Sequence, residues 1–270
     1  MAIVNRTPDS FFDRGATFAE DAALRAVDDA VAAGADIVDI GGVKAGPGAE
    51  VDVAEELRRT VGFISRVRAR HPELVISVDT WRAAVAEPAV AAGADLINDT
   101  WGGVDPDLAR VAAATGAGLV CAHAGGQEPR TRPHRVAYPD VVADVVRTVT
   151  GLAERAVDAG VRPDGILIDP AHDFGKNTYH SLLLTRRLDE LVATGWPVLV
   201  ALSNKDFIGE ALDLPVDQRL EGTLAATALS AWHGARVFRA HQVTATRRVL
   251  DLVASVRGDR PPAVPRRGLA

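Results

Sequence analysis

Cysteine is almost absent from this sequence, and its scarcity indicates where the protein works. The single cysteine, Cys121, lies in an apolar run and has no second cysteine with which to form an internal disulfide. Such a chain fits a reducing compartment. The start of the chain also lacks the apolar run of a signal peptide, because Asn5, Arg6 and Asp9 interrupt it. The sequence therefore predicts a cytoplasmic protein.

An excess of positive charge is missing as well. The 30 lysine and arginine residues are outnumbered by 36 aspartates and glutamates, and the formal net charge is -6. A nucleic-acid-binding protein normally presents a basic surface, so nucleic acid is not an expected partner. Nothing in the composition suggests a membrane span. With 47% hydrophobic residues the chain can bury one large core, and a small molecule is the expected ligand.

The chain has no GxGxxG turn after its first apolar run, where an open dinucleotide-binding sheet would carry one. Instead, about eight strand-like runs recur at fairly even intervals, each followed by a polar or glycine-rich turn and a helical pattern. This alternation predicts a single-domain α/β fold, a closed (β/α)8 TIM barrel over residues 1–257, with a flexible, basic, proline-rich tail over residues 258–270. The predicted strands are residues 2–5, 36–42, 75–80, 96–101, 118–123, 166–170, 197–204 and 237–241.

Residues 166–191 form the stretch around which the other candidates are interpreted. Three apolar residues, 166–168, end abruptly at Asp169 and Pro170, which is typical of a buried strand that delivers a carboxylate. A glycine-containing loop follows, and Thr178 is predicted to cap the next helix. Among the outer helices, one is predicted over residues 53–70, with Asp52 as its N-cap.

Nearly every predicted strand ends in a polar residue. In a TIM barrel the active site lies at the C-terminal ends of the strands, and burying so many polar groups there requires polar partners or a ligand. Arg239 and His241, two apart on a strand, point to the same side and can hold an anion such as phosphate. Four other side chains can surround one flat heterocycle through carboxylate, amide and ammonium hydrogen bonds. These four are Asp79, Asn98, Asp169 and Lys205.

Six segments of the chain carry a resemblance to a known family. They are VNRTPDSFFDRGATF, DIVDIGG, SVDTWRAAVAEPAVAAGADLINDTWG, DPAHDFGK, PVLVALSNKDFIGEAL and FRAH. In order and spacing they resemble the dihydropteroate synthases, the pterin-binding (β/α)8 barrels of folate synthesis. The resemblance covers essentially the whole chain. It implies a transferase reaction in which the amine of p-aminobenzoate displaces pyrophosphate from 6-hydroxymethyl-7,8-dihydropterin pyrophosphate, helped by electrostatic stabilisation and positioning.

The resemblance also implies a role for each candidate. The four residues predicted around the heterocycle match the positions that hold the pterin ring, and two of them, Lys205 and Asp79, are the catalytic candidates. Asn5 matches the residue that binds magnesium with the pyrophosphate, while Arg239 and His241 match the pyrophosphate site. The implied cofactor is Mg²⁺, with no tightly bound organic cofactor. The implied assembly is a homodimer through the later helices.

Two loops depart from the family pattern, both where the second substrate would bind. One has lost a glutamate, two hydroxyl residues and an arginine, and the other an arginine and a hydroxyl residue; the altered positions are Val43, Lys44, Ala45, Gly46, Asn204 and Asp206. Asp206 would face the aminobenzoate carboxylate. Two like charges about 5 Å apart at an effective dielectric of 20 repel by roughly 3 kcal/mol, which weakens binding about a hundredfold. Lys44 is a new cation that can pair with Asp206 or meet another anion.

Three functional hypotheses follow from these residues. The main hypothesis is a dihydropteroate synthase-like pterin-binding protein that keeps the pterin and pyrophosphate half of the site and is weak or inactive as a synthase. The altered loops resemble those of a paralogous branch of the family regarded as lacking synthase activity. The alternative is a working synthase that uses Lys44 in place of the lost arginines. The third is a metal-dependent TIM-barrel hydrolase using His123, His172 and His241, although the sequence contains no HxH or HExxH motif.

Two weaker features lie near the expected mouth of the barrel. Trp101, just past Asn98, is a candidate aromatic wall for a ligand ring. Residues 124–138 carry four basic side chains on a long loop, which is either a solvated loop or a lid that collects anions. These side chains are Arg130, Arg132, His134 and Arg135.

Overall fold

Eight parallel strands form the inner layer of the molecule in the computed structural model, which describes residues 1–8, 15–131 and 136–267. The first six strands pair in chain order, and the last two pair with each other. Bridges between Ile168 and Val198 and between Ala2 and Ala240 join the two sheets at both seams, so the strands close into the predicted (β/α)8 barrel. The strands are β1 (Ala2–Asn5), β2 (Ile37–Gly41), β3 (Val75–Asp79), β4 (Leu96–Asp99), β5 (Gly118–Ala122), β6 (Ile166–Asp169), β7 (Leu199–Val200) and β8 (Val237–Phe238).

The strands β7 and β8 are shorter than the sequence predicted. Only two residues of each pair regularly, at Leu199 with Val237 and Val200 with Phe238. The apolar run after β7 leaves the ladder at residue 201, before the turn that carries the altered residues. Hydrophobicity predicted burial here correctly, but it does not determine where ladder hydrogen bonds stop.

The helices form the outer ring, and two predicted N-caps can be compared with them. Asp52 caps its helix as predicted, since its carboxylate accepts from the Glu55 amide at 2.8 Å. Thr178 was the wrong choice, because Asn177 is the cap and accepts from the His180 amide at 2.9 Å. The helices are α1 (Glu20–Ala32), α2 (Val53–Arg70), α3 (Ala83–Ala91), α4 (Leu108–Thr115), α5 (Val141–Asp158), α6 (Thr178–Arg186), α7 (Leu188–Val192), α8 (Asp206–Leu212), α9 (Leu220–His233) and α10 (Val243–Arg257).

Apolar side chains fill the inside of the barrel below the rim. Leu96, Val120 and Leu199 form a buried cluster there, with Leu167 and Val237 packed against it. Because side chains on a strand alternate between faces, the residues two positions further along the same strands face the same interior, nearer the C-terminal rim. The core thereby closes the lower part of the barrel and leaves the polar strand ends around a space at the top.

The chain leaves the barrel where α10 ends at Arg257. Gly258 ends the helix with a left-handed backbone at φ 83°, and residues 258–267 are exposed. The flexibility predicted for the tail stays a prediction, and residues 268–270 lie outside the described ranges. No helix among the described residues is long and apolar enough to cross a membrane.

Candidate functional site

A cavity of about 810 Å³ opens at the C-terminal ends of the strands. Of the seven site residues predicted at the strand ends, five line it directly: Asn5, Asp79, Lys205, Arg239 and His241. Asn98 and Asp169 are buried at the ends of β4 and β6, with exposed fractions of 1% and 4%. We call the group formed by Asp39, Asp79, Asn98, Asp169 and Arg239 the inner floor.

Arg239 is the cation at the centre of the inner floor. Its Nε donates to Asp39 at 2.5 Å and its Nη2 to Asp79 at 2.9 Å. Two carboxylates around one guanidinium leave a net negative charge if both are ionised. Burial raises the pKa of Asp79 to about 7, although the charge of Arg239 acts to lower it. This carboxyl can therefore carry a proton near neutral pH, which allows it to donate as well as accept.

Asn98 brings an unsatisfied acceptor to the inner floor. Its Nδ2 donates to Asp39 at 3.1 Å, so the orientation of the amide is determined by that bond. Its Oδ1 is buried and has no hydrogen-bond partner among the described residues. Leaving a buried acceptor unsatisfied costs about 1–3 kcal/mol. A ligand N–H group at this position would recover that free energy.

Asp169 and Lys205 flank the loop that follows β6. Asp169 accepts from the Ala171 amide at 2.7 Å, and burial raises its pKa while Lys205 opposes that shift. Lys205 donates to the His172 carbonyl, and its Nζ lies 4.9 Å from the centroid of the Phe174 ring. Burial lowers the pKa of Lys205, with Asp173 and Asp169 opposing. The ammonium and the carboxylate thus both contact the loop that follows β6. Their binding of one ligand stays a prediction.

Arg239 and His241 both line the cavity, but their surroundings differ. The Nδ1 atom of His241 lies 3.0 Å from the Ser203 hydroxyl. Arg239 already contacts two carboxylates, which compensate its charge. The pyrophosphate role of this pair stays a prediction.

The altered loops form a second wall of the cavity. Residues 43–46 line one side, and Asp206 lines the other beside Arg219; we call these residues the outer wall. Arg219 donates to Asp206 at 2.9 Å and to the Asn204 carbonyl at 3.0 Å. Arg219 therefore offsets part of the charge of Asp206, which reduces the repulsion expected from Asp206 alone. The pairing of Lys44 with Asp206 stays a prediction.

Aromatic side chains complete the cavity. Trp101 lines it as predicted, with 3% of its surface exposed. Its ring meets Phe174 edge to face, with centroids 5.1 Å apart. Such a pair provides an apolar surface for a flat ring. The predicted basic loop is described in part: Arg130 donates to the Ala49 carbonyl at 2.8 Å, whereas residues 132–135 lie outside the described residues.

Two residues of the site, Arg219 and Lys176, are not among the candidates from the sequence, and Asp39 is recognisable there only as a polar residue at a strand end. Asp39 and Arg219 become important only through their partners, and Lys176 lies in the DPAHDFGK segment without an assigned role. Lys176 is buried and lines the cavity. A lysine inside a glycine-containing loop directly after a strand was the only signal, and it did not indicate what the ammonium contacts.

The histidines predicted for a metal-dependent hydrolase do not form a metal site. His123 contacts Asp144 at 2.9 Å and Lys176 at 2.8 Å, while His172 contacts Thr185 at 3.1 Å. Within the described part of the chain, no three His, Cys, Asp or Glu residues are grouped so that they could hold a metal ion. These contacts account for His123 and His172 as structural residues, and the hydrolase hypothesis has no site to support it.

Comparison with known proteins agrees with this geometry. The family model described as pterin binding enzyme matches residues 1–241. The chain is 64% identical to "Inactive dihydropteroate synthase 2" of Mycobacterium leprae, over all of this chain and 94% of that protein. It is 39% identical to the dihydropteroate synthase of Bacillus subtilis, over 94% of this chain and 86% of that protein.

The fold agrees with a solved structure as well. A Yersinia pestis dihydropteroate synthase in complex with a sulfonamide drug superimposes with a TM-score of 0.91 and 37% identity, covering 96% of this chain and 94% of that one. The sequence match, the shared barrel and the polar rim point to one family. The chain belongs to the pterin-binding enzymes and is a dihydropteroate synthase homologue.

Proposed function

We propose that this protein binds a pterin-type ligand in the cavity above the inner floor and is weak or inactive as a synthase. The observation that carries the proposal is the buried acceptor of Asn98, which has no partner among the described residues. It stands beside carboxyl groups that can accept from the N–H groups of an aminopyrimidine ring. Trp101 and Phe174 supply an apolar surface for that ring.

Different residues of the site bind different parts of the ligand. Asp79, Asn98 and Asp169 bind the amino-pyrimidine edge, and Lys205 meets a ring carbonyl. Arg239 and His241 hold the pyrophosphate, and the compensation of Arg239 by two carboxylates makes that part of the site the weaker one. The family resemblance supports the assignment, as does the position of Asp79, Lys205, Arg239 and His241 on the cavity lining. Asn98 and Asp169 are buried at the ends of β4 and β6.

Magnesium fits the pyrophosphate end of this site. Asn5 lines the cavity, and its side-chain amide oxygen is the hard kind of ligand that Mg²⁺ accepts. Magnesium usually takes one or two protein ligands together with phosphate oxygens and water, so a single amide ligand from the protein is sufficient. When bound, the ion would neutralise charge on the leaving pyrophosphate.

The outer wall is the reason to expect little synthase activity. Substitution at the altered positions changes the side chains available to a second substrate, and the Mycobacterium leprae relative is named as inactive. Arg219 supports the alternative, a working synthase, because it offsets Asp206. Lys44 lies on the lining of the same cavity. In that case Lys205 and Asp79 would be the residues closest to the reacting pterin.

Calorimetry and a turnover assay separate binding from reaction. We expect 6-hydroxymethyl-7,8-dihydropterin pyrophosphate to bind with Mg²⁺, and p-aminobenzoate to add little to that binding. Absence of heat or displacement at millimolar pterin pyrophosphate would overturn the pterin proposal. Release of pyrophosphate at a rate near that of ordinary enzymes would instead establish the working synthase.

We also propose a homodimer formed through α9 and α10. These helices pack together and expose Leu229, Trp232, Leu252 and Val256, each more than half exposed. Adjacent apolar side chains of this size are typical of an interaction surface. Light scattering should give the mass of a dimer, and Leu252→Glu should give a monomer. Leu212→Glu, at the exposed end of α8, is the matched control and should remain dimeric.

The buried free thiol of Cys121 supports the proposed cytoplasmic location, since it has no disulfide. A barrel over residues 1–257 with a separate tail is likewise our proposal for the domain organisation. Limited proteolysis should cut after residue 257 and leave the barrel intact.

A further inference from the structure

The ammonium of Lys176 sits among four acceptors at the wall of the cavity. It lies 2.8 Å from the His123 carbonyl oxygen and 2.8 Å from Nδ1 of the same residue. The carbonyl oxygens of Phe174 and Ala171 follow at 2.8 and 3.1 Å. We call this set of three carbonyl oxygens and one imidazole nitrogen the lysine cage.

The lysine cage has the composition of a cation site. Burial lowers the pKa of Lys176 well below its usual range, and Asp169, Asp173 and Asp144 oppose that shift. Carbonyl oxygens can only accept, and an ammonium group has three donors and no acceptor, so each of its protons has a partner. Nε2 of His123 lies 2.9 Å from Asp144. A proton on Nε2 leaves Nδ1 as an acceptor, which matches the ammonium on its other side. Asp144 therefore orients the His123 ring so that its Nδ1 atom faces the ammonium of Lys176.

The choice of lysine is specific in this chain. Cations elsewhere in the sequence are overwhelmingly arginine, and the three lysines are Lys44, Lys176 and Lys205. All three line the same cavity. A compact ammonium with three donors suits a cage of single oxygen atoms, whereas the planar fork of arginine does not.

The loop that supplies the cage has a strained backbone. Ala171 and Asp173 have positive φ angles of 48° and 69°, which are uncommon for residues with a side chain. Gly175 also has a positive φ, and a Cβ there would lie 2.6 Å from the Ala124 carbonyl oxygen. Such conformations persist only where the surroundings determine them. Lys176 is suited to do so, since two of its bonds go to carbonyls of this loop.

The same loop holds groups of the candidate site in place. The Ala171 amide donates to Asp169 at 2.7 Å, and Phe174 packs against Trp101. Asp173 accepts from the Phe207 amide at 3.2 Å, which attaches the loop to α8. A change in the loop would thus move a carboxylate and an aromatic surface of the cavity together.

We propose that Lys176 is a positioning residue of the ligand site, a built-in cation on which residues 170–176 are folded. Its effect on the ligand passes through Asp169 and Phe174. The ligand part of this inference rests on the proposed pterin binding, whereas the folding of the loop on the ammonium stands by itself.

Chemical rescue tests the proposal. Lys176→Ala removes three carbons and the nitrogen beyond Cβ, and propylammonium replaces those atoms. We expect the variant to bind pterin pyrophosphate at least tenfold more weakly, and the amides of residues 171–176 to exchange hydrogen faster. Propylammonium should restore both. 1-Propanol, which lacks the charge, and tetramethylammonium, which lacks N–H donors, should restore neither.

Two further variants keep the proposal testable. Lys176→Met keeps a side chain of similar volume, so it replaces the alanine variant if that variant does not fold. We expect its loop amides to exchange hydrogen fast, and propylammonium should not slow that exchange, because the methionine side chain fills the space. Lys44→Met removes another lysine of the same cavity and should leave exchange in residues 171–176 unchanged. Wild-type loop exchange in Lys176→Met would overturn the proposal. If the wild-type protein binds no pterin pyrophosphate, the function fails, but the exchange and rescue results still decide the role of Lys176.

Discussion

The inner floor and the outer wall of the cavity were changed very differently relative to the family pattern. In the floor, where the resemblance predicts that family residues are kept, Arg239 contacts the carboxylates of Asp39 and Asp79, and Asn98 donates to Asp39. In the wall, where the resemblance predicts that family residues are lost, the charged pair of Asp206 with Arg219 is partly exposed. A buried network constrains every member, because removing one leaves the others unpaired. An exposed wall can change its side chains at little cost in stability, so recognition of a second substrate is easier to lose than the pterin site.

The largest effect on stability should come from removing the charge of Arg239 from the inner floor. Arg239→Met leaves Asp39 and Asp79 buried without compensation, which should lower the free energy of unfolding by about 3–5 kcal/mol. Denaturant unfolding measures this. Arg58→Met, which removes an exposed pair with Glu55, is the control and should change stability by at most about 1 kcal/mol. Equal effects of the two substitutions would contradict a difference between buried and exposed pairs.

The free energy of unfolding should depend on pH through the buried side chain of His123. Burial, reinforced by Lys176, lowers its pKa to about 4, below the ordinary value of about 6.5. Between these values the unfolded chain binds a proton that the folded protein does not, so stability falls as pH drops from 6.5 to 4. The loss should amount to roughly 3 kcal/mol.

His123→Gln removes this proton-binding group. The variant should be less stable at pH 7.5, because the contacts of His123 with Lys176 and Asp144 are lost. Its stability should, however, fall less steeply between pH 7.5 and 4 than that of the wild-type protein. Chemical unfolding at matched pH values compares the two slopes, and parallel curves would show that His123 does not cause the loss.

Ligand recognition by the floor can be tested at Asn98. Asn98→Leu keeps a similar volume but removes the buried acceptor, so pterin binding should weaken by about 1–3 kcal/mol, or about ten- to a hundredfold. Calorimetry with the pterin pyrophosphate measures the change. Unaltered affinity, with the variant still folded, would mean that Oδ1 of Asn98 does not meet the ligand.

The smallest effect should come from the outer wall. Asp206→Asn releases the charge of Arg219 toward the cavity and should strengthen binding of p-aminobenzoate by at most about tenfold, because partly exposed ion pairs contribute up to about 1 kcal/mol. Asp217→Asn makes the same charge change at an exposed position and serves as the control. A hundredfold gain for Asp206→Asn would show that this one residue excludes the second substrate, and the comparison between floor and wall would need revision.

Much of the fold and part of the site could be predicted from the sequence. The eight strands, the N-cap at Asp52 and the carboxylate at the end of β6 all follow from local patterns, since a strand or helix end is specified by adjacent residues. Thr178 was mistaken for a cap because Asn177, its neighbour, is an equally good candidate. The pattern also overestimated the length of β7 and β8, where the apolar residues continue beyond the ladder.

The sequence alone determined that this chain forms a (β/α)8 barrel with a polar rim, because the period of its strands and the residues at their ends are local properties. Pterin binding followed from the resemblance of six sequence segments to a known family. Only the tertiary structure decided what those residues contact. Arg239 meets Asp39 and Asp79 from 200 and 160 positions away, Arg219 offsets Asp206, and Lys176 lies inside a cage of carbonyl oxygens. Such contacts depend on how strands and loops are arranged in space and on which way each side chain turns, and spacing along the chain carries neither.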